Sequence, residues 1–149
     1  MKYFAYGSNM DVRQMAERCP DAVIVGVATL PGHQFRINTH GVATVVPATR
    51  SVVHGVLWEI SPTDGVSLDR YEGVKSGFYR KATIRVLLAN GDEVEALIYF
   101  ASDEQPGCAR PHYMERVLAA AEHHSLPAGY LAALRGLMTI RLMLSCLPA

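Results

Sequence analysis

Residues 78–100 read FYRKATIRVLLANGDEVEALIYF, and this stretch decides the fold. Two runs rich in β-branched and aromatic residues, Phe78 to Leu88 and Glu93 to Phe100, flank Asn90-Gly91, the dipeptide best suited to a tight hairpin turn. Strands joined by so short a turn must run antiparallel, because a parallel crossover needs roughly a dozen residues or more. The same grammar holds upstream. Val23 to Leu30 reads as a strand, and Pro31-Gly32 as the turn that ends it. His33 to Asn38 and Val42 to Val46 read as a hairpin around Thr39-His40-Gly41, and Val52 to Ile60 as a further strand ending in Trp58-Glu59-Ile60. Lys2 to Tyr6 is a short apolar strand that Gly7-Ser8-Asn9 breaks.

Helical spacing appears in four places. Met10 to Arg18 carries apolar residues at Met10, Val12, Met15 and Ala16, with Asn9 or Asp11 as its N-cap and Pro20 as its stop. Ser61-Pro62-Thr63-Asp64 starts a second helix with a capping residue, a first-turn proline and capping-box spacing. That helix is expected to end at Tyr71 or Glu72, with Gly73 just beyond. Pro111 to His124 and Leu126 to about Ser145 complete the set, hinged at Ser125-Leu126-Pro127. The expectation is an α+β fold: a small, mixed but mostly antiparallel sheet of roughly six strands, curled into a partial β-barrel with flanking helices. One domain over residues 1–149 suits the length, which allows roughly 70% of the unfolded surface to be buried.

The composition excludes several functions. Half of the residues are hydrophobic, 19% are charged, and 14 basic residues balance 14 acidic ones. Zero net charge gives no drive toward nucleic acid or an anionic membrane, so a small-molecule partner is expected. Cys19, Cys108 and Cys146 are widely spaced and form no metal-ligand pattern, so no metal is expected. Met1-Lys2 leads directly into an apolar strand without a secretory segment, which makes the cytoplasm the expected location. The tail over 135–149 is apolar, but Arg135 and Arg141 interrupt it before a membrane-spanning length is reached. It reads as a packed helix or as the contact of a homodimer.

Two features carry chemistry. In the first, Tyr6-Gly7-Ser8-Asn9 joins a strand to a helix, so its backbone N–H groups can converge on an anion such as a ligand carboxylate. The same spacing also suits a plain connection capped by Asn9. In the second, Glu72 leaves a helix end and enters the glycine-flanked turn Gly73-Val74-Lys75-Ser76-Gly77. The negative end of the helix dipole disfavours a further anion there, which would raise the pKa of Glu72 and suit acid/base work. A solvated helix-end glutamate is the ordinary alternative. Ser8 lacks a Gly-x-Ser-x-Gly elbow. His123-His124 point to different faces of a helix, and Cys108 has only Arg110 as a nearby cation in sequence. Tyr113 and Tyr130 fall on helical patterns as core residues.

Taken together, Tyr3-Phe4-Ala5-Tyr6-Gly7-Ser8-Asn9-Met10 and Glu72-Gly73-Val74-Lys75-Ser76-Gly77-Phe78-Tyr79 closely resemble the γ-glutamylcyclotransferase-like (AIG2-like) superfamily. Gly55-Val56-Leu57-Trp58, Leu68-Asp69 and Leu126-Pro127-x-x-Tyr130 extend the resemblance to about Leu134. The resemblance implies a small barrel with flanking helices. It implies that Tyr3, Phe4, Ala5, Tyr6, Gly7, Ser8 and Asn9 hold the γ-glutamyl part of a substrate, largely through backbone groups. It maps the family's acid/base glutamate onto Glu72, and substrate contacts onto Tyr113 and Tyr79.

The implied reaction is a cyclisation. The α-amine of a γ-glutamyl amide attacks its own γ-carbonyl, releasing 5-oxoproline and an amine or amino acid. The substrate supplies the nucleophile, so the protein must fold the chain back and shuttle a proton. The chemistry requires no metal or organic cofactor. The alternative is a non-catalytic binding or interaction protein that keeps the pocket without turnover. The group beyond the γ-glutamyl bond is left open.

Overall fold

The computed structural model describes residues 1–143, with side chains through residue 138. In chain order the elements are β1 (Lys2–Ala5), a 3-10 turn (Ser8–Met10), α1 (Val12–Arg18), β2 (Val23–Ile37), β3 (Ala43–Glu59), α2 (Pro62–Tyr71), β4 (Tyr79–Leu88), β5 (Glu93–Ala101), α3 (Tyr113–His123) and α4 (Ala128–Met143). The strands form a closed barrel in the order β1-β3-β2-β4-β5. The α+β, mostly antiparallel barrel with flanking helices is therefore as expected from the sequence.

The decisive hairpin forms between β4 and β5, with Tyr79 opposite Ala101 and Leu87 opposite Glu93. β1 pairs antiparallel with β3, Tyr3 facing Trp58 and Phe4 facing Leu57. A parallel contact of Tyr3 with Leu97 on β5 closes the ring. Closure removes the exposed strand edges that an open sheet would present.

The strand count differs from expectation. Five strands replace the roughly six expected among the described residues, because Pro31-Gly32 does not turn the chain. β2 runs through it from Val23 to Ile37, and β3 runs likewise from Ala43 to Glu59. Pro31 pairs with Val52 and His33 with Pro47, so Gly32 alone faces residues 48–51 on β3. Arg50 in that excursion sits at φ 67°. A proline is tolerated at such an irregularity, where no ladder N–H is needed, and the bulge bends the two strands as closure requires.

The helix starts follow their capping residues. α1 begins at Val12 rather than Met10, because Asp11 is the cap: its carboxylate accepts from the N–H groups of Arg13 and Gln14. The capping box at α2 is formed as expected, Ser61 Oγ accepting from the Asp64 N–H at 3.1 Å and Asp64 accepting from the Ser61 N–H at 3.2 Å. α3 starts at Tyr113, two residues after Pro111, behind His112 in a left-handed conformation. Leu68 of α2, Met15 of α1, Met114 of α3 and Ile98 of β5 are fully buried together with Phe4 and Leu57. Each such side chain contributes about 1.5–3 kcal/mol of burial. The apolar tail reaches α4 as far as Met143, and its remainder, with the expected dimer contact, lies outside the described residues. No helix among the described residues is long and apolar enough to cross a membrane.

Candidate active site

Glu72 is the residue on which α2 ends, its N–H donating to Leu68 O at 2.8 Å. Gly73 follows at φ 62°, a conformation that favours glycine. A Cβ there would stand 3.0 Å from Phe78 Cβ, since Phe78 N–H returns to Gly73 O at 3.0 Å. This turn brings Glu72 and Tyr79 onto the same cavity.

The cavity has a volume of about 240 Å³. Tyr3, Tyr6, Gly7, Ser8, Asn9, Glu72, Tyr79 and Tyr113 all lie on its wall. Those are the sequence-derived candidates that the fold brings together. Phe4 and Ala5 are not on the wall: both side chains are buried in the core, where Phe4 packs against the backbone of Gly55. Cys108 and Tyr130 also lie away from the cavity, with the Tyr130 ring 4.7 Å from that of His54. His123 is exposed, and His124 Nε2 lies 2.7 Å from Met10 O. Cys19 is a buried free thiol whose pKa burial pushes up to about 12, which suits packing rather than nucleophilic attack.

Gly7 is required for a reason other than its dihedral freedom. Its φ is −114°, yet a Cβ would meet Tyr113 Oη at 3.0 Å and Ala43 Cβ at 3.2 Å. That hydroxyl accepts from the Ala43 N–H at 3.1 Å, and Tyr79 Oη donates to Ala43 O at 2.5 Å. Two cavity tyrosines thus grip both backbone polar groups of one residue, Ala43, at the start of β3. Tyr6 Oη donates to Tyr99 O at 2.5 Å, pinning the loop to β5.

The Glu72 carboxylate lies inside a hydrogen-bond network. Asn9 Nδ2 donates to Glu72 Oε1 at 3.1 Å and to Tyr3 Oη at 2.9 Å. Asn9 Oδ1 accepts from Gln14 Nε2 at 2.9 Å and Arg18 Nη1 at 3.1 Å. Burial raises the Glu72 pKa to about 7, against the lowering effects of Arg18 and the Asn9 hydrogen bond. The sequence led to the expected direction, but the cause is desolvation rather than the helix end. Near neutral pH such a group is present in both forms, so it can take a proton and return one. Burial also raises the hydroxyl pKa values of Tyr3, Tyr79 and Tyr113, keeping them as protonated donors.

Several wall residues were missed by sequence reasoning: Gln14, Arg18, Tyr99, Arg110 and Arg116. Gln14 and Arg18 are four apart on α1 and share a face, and Arg116 follows Tyr113 by three on α3. That spacing was a usable signal. The three arginines against one carboxylate make the cavity suited to an anionic ligand. Among the described residues, no group of three or more His, Cys, Asp or Glu is arranged to hold a metal ion.

Comparisons with known proteins agree with this architecture. Residues 52–134 match the model of the AIG2-like family. The chain is 30% identical over 145 residues to mouse gamma-glutamylcyclotransferase, covering 91% of this chain and 77% of the mouse protein. It is 28% identical to human gamma-glutamylcyclotransferase, with the same coverages. A solved structure of a gamma-glutamyl cyclotransferase superposes with a TM-score of 0.82 at 28% identity, over 91% of this chain and 86% of that one.

Proposed function

The chain belongs to the AIG2-like family, and from that premise we propose that its cavity folds a γ-glutamyl amide back on itself while Glu72 moves the protons of ring closure. The protein is a γ-glutamylcyclotransferase-like enzyme. The observation that carries the assignment of Glu72 is its position: a carboxylate poised near pKa 7 on the cavity wall, hydrogen-bonded to Asn9 of the Tyr6-Gly7-Ser8-Asn9 loop.

In this reading the substrate α-amine attacks the γ-carbonyl carbon, forming the ring C–N bond. The bond from that carbon to the leaving nitrogen breaks. Glu72 accepts the proton that the attacking amine loses and gives it to the leaving nitrogen, so the products are 5-oxoproline and a free amine or amino acid. Holding the two reacting atoms of one molecule together supplies most of the entropic advantage. The loop Gly7-Ser8-Asn9, with Tyr79 and Tyr113, contacts the γ-glutamyl part, and the arginines balance its α-carboxylate. The charge balance of the whole chain supports a small-molecule partner. A cytoplasmic setting is part of the same proposal.

The test is 5-oxoproline release from a panel of γ-glutamyl amino acids and amines by the wild type and by Glu72→Gln. Turnover by the wild type and its loss in the variant is the expected result. Full turnover by Glu72→Gln overturns the assignment.

A further inference from the structure

Gln14 bonds with three residues of the cavity wall, Ser8, Asn9 and Arg116, but not with Glu72 itself. It is a buried polar side chain in the first turn of α1, and both its amide nitrogen and its amide oxygen have partners. Nε2 donates to Ser8 Oγ at 2.8 Å and to Asn9 Oδ1 at 2.9 Å. Oε1 accepts from Arg116 Nη1 of α3 at 2.9 Å. A guanidinium has donors only, so this contact dictates which end of the Gln14 amide faces Asn9. The same logic continues one residue further. Asn9 Oδ1 faces two donors, Gln14 Nε2 and Arg18 Nη1, so Nδ2 must face Tyr3 Oη and Glu72 Oε1. Turning the Asn9 amide over would set donor against donor and oxygen against carboxylate.

We propose that Gln14 is a positioning residue for the reaction: it is the link through which Arg116 fixes the Asn9 amide with an N–H aimed at Glu72. The two amide dipoles, aligned head to tail from Arg116 to Glu72, favour the charged form of the carboxylate. This rests on Glu72 being the proton shuttle. The charged groups on the walls around Glu72 are Arg18 of α1, Arg116 of α3 and Arg110 of the preceding loop. Tyr71 also lies on that wall, and the buried hydroxyls there, those of Tyr3, Tyr6, Tyr79, Tyr99 and Tyr113, have pKa values raised above the ordinary range. None of these hydroxyls ionises across the range where Glu72 does.

The experiment is the pH titration of the Glu72 side-chain carboxyl by carbon NMR, beside the pH profile of kcat/KM, in wild type and Gln14→Met. Methionine keeps length and neutrality but loses both donors. The relay predicts that the Glu72 midpoint and the acid limb both move to higher pH, and that kcat falls. Gln14→Leu, neutral, of similar size and without donors, reads the same two quantities if Gln14→Met does not fold. An unchanged Glu72 midpoint in a folded variant overturns the relay, whatever happens to turnover. A shifted midpoint with an unshifted acid limb supports the relay and overturns Glu72 as the proton shuttle.

Discussion

Asn9 Nδ2 donates to Glu72 Oε1 at 3.1 Å across 63 residues of chain, joining the 3-10 turn after β1 to the end of α2. This bond ties the glycine-containing loop to the acidic turn and puts the proposed proton-transfer group against the proposed binding loop.

The pH dependence follows from the burial of Glu72. With a pKa of about 7 in the free protein, kcat/KM is expected to fall on the acid side through roughly that pH, as the carboxylate is protonated and loses its capacity as a base. Glu72→Gln is expected to lower kcat by about 10²–10⁴-fold and to abolish that limb. A stopped 5-oxoproline assay across pH 5 to 9 with both proteins measures it.

The same burial has a stability consequence. Glu72 has a folded pKa above its unfolded value of 4.5, so its contribution is fully present below pH 4.5 and is lost as pH rises through about 7. Glu72→Gln, which keeps an acceptor for Asn9, is therefore expected to be more stable than wild type at pH 8. The gain is up to about 2–3 kcal/mol, vanishing near pH 4. Urea unfolding at the two pH values tests the sign, and equal stabilities at pH 8 count against it.

Gly7→Ala is expected to raise KM, because its Cβ meets Tyr113 Oη at 3.0 Å and Ala43 Cβ at 3.2 Å. Removing the hydroxyl with Tyr113→Phe clears the first contact and forfeits the bond to the Ala43 N–H. The double variant is expected to be less impaired than the sum of the single variants, by about 0.5–3 kcal/mol of coupling. Strict additivity in a double-mutant cycle on kcat/KM excludes this contact as the reason for glycine.

Ser61→Ala removes one half of the capping box at the start of α2, the helix whose other end carries Glu72. A loss of about 0.5–2 kcal/mol in stability is expected. kcat is expected to stay at the wild-type value below the melting range, because Ser61 is not on the cavity wall. Thermal unfolding and an assay at low temperature separate the two effects.

Local signals in the chain carried the elements well. Asn90-Gly91 set the β4–β5 hairpin, Ser61 to Asp64 set the start of α2, and Gly73 set its end, because each is a short-range preference acting within a few residues. Pro31-Gly32 misled for the same reason: locally it is a turn pair, while the long β2–β3 pairing absorbs it as a bulge. The loop Tyr6 to Asn9 and Glu72 were legible as a pair only through their shared resemblance to a family. Neither residue type nor spacing alone distinguishes them from an ordinary cap and a solvated glutamate.

By itself the sequence determined an α+β chain of antiparallel strands, a glycine-containing loop after the first strand and an acidic residue at a helix end, because turn chemistry, capping and alternation are local. Only the tertiary structure decided that β1 meets β5 to close the barrel, and that Arg18, Gln14 and Arg116 converge on Asn9 or its neighbours. It also decided that Glu72 owes its raised pKa to burial rather than to the helix end. The β1–β5 and Gln14–Arg116 contacts join residues far apart in sequence, and the burial that shifts Glu72 exists only once the chain has folded.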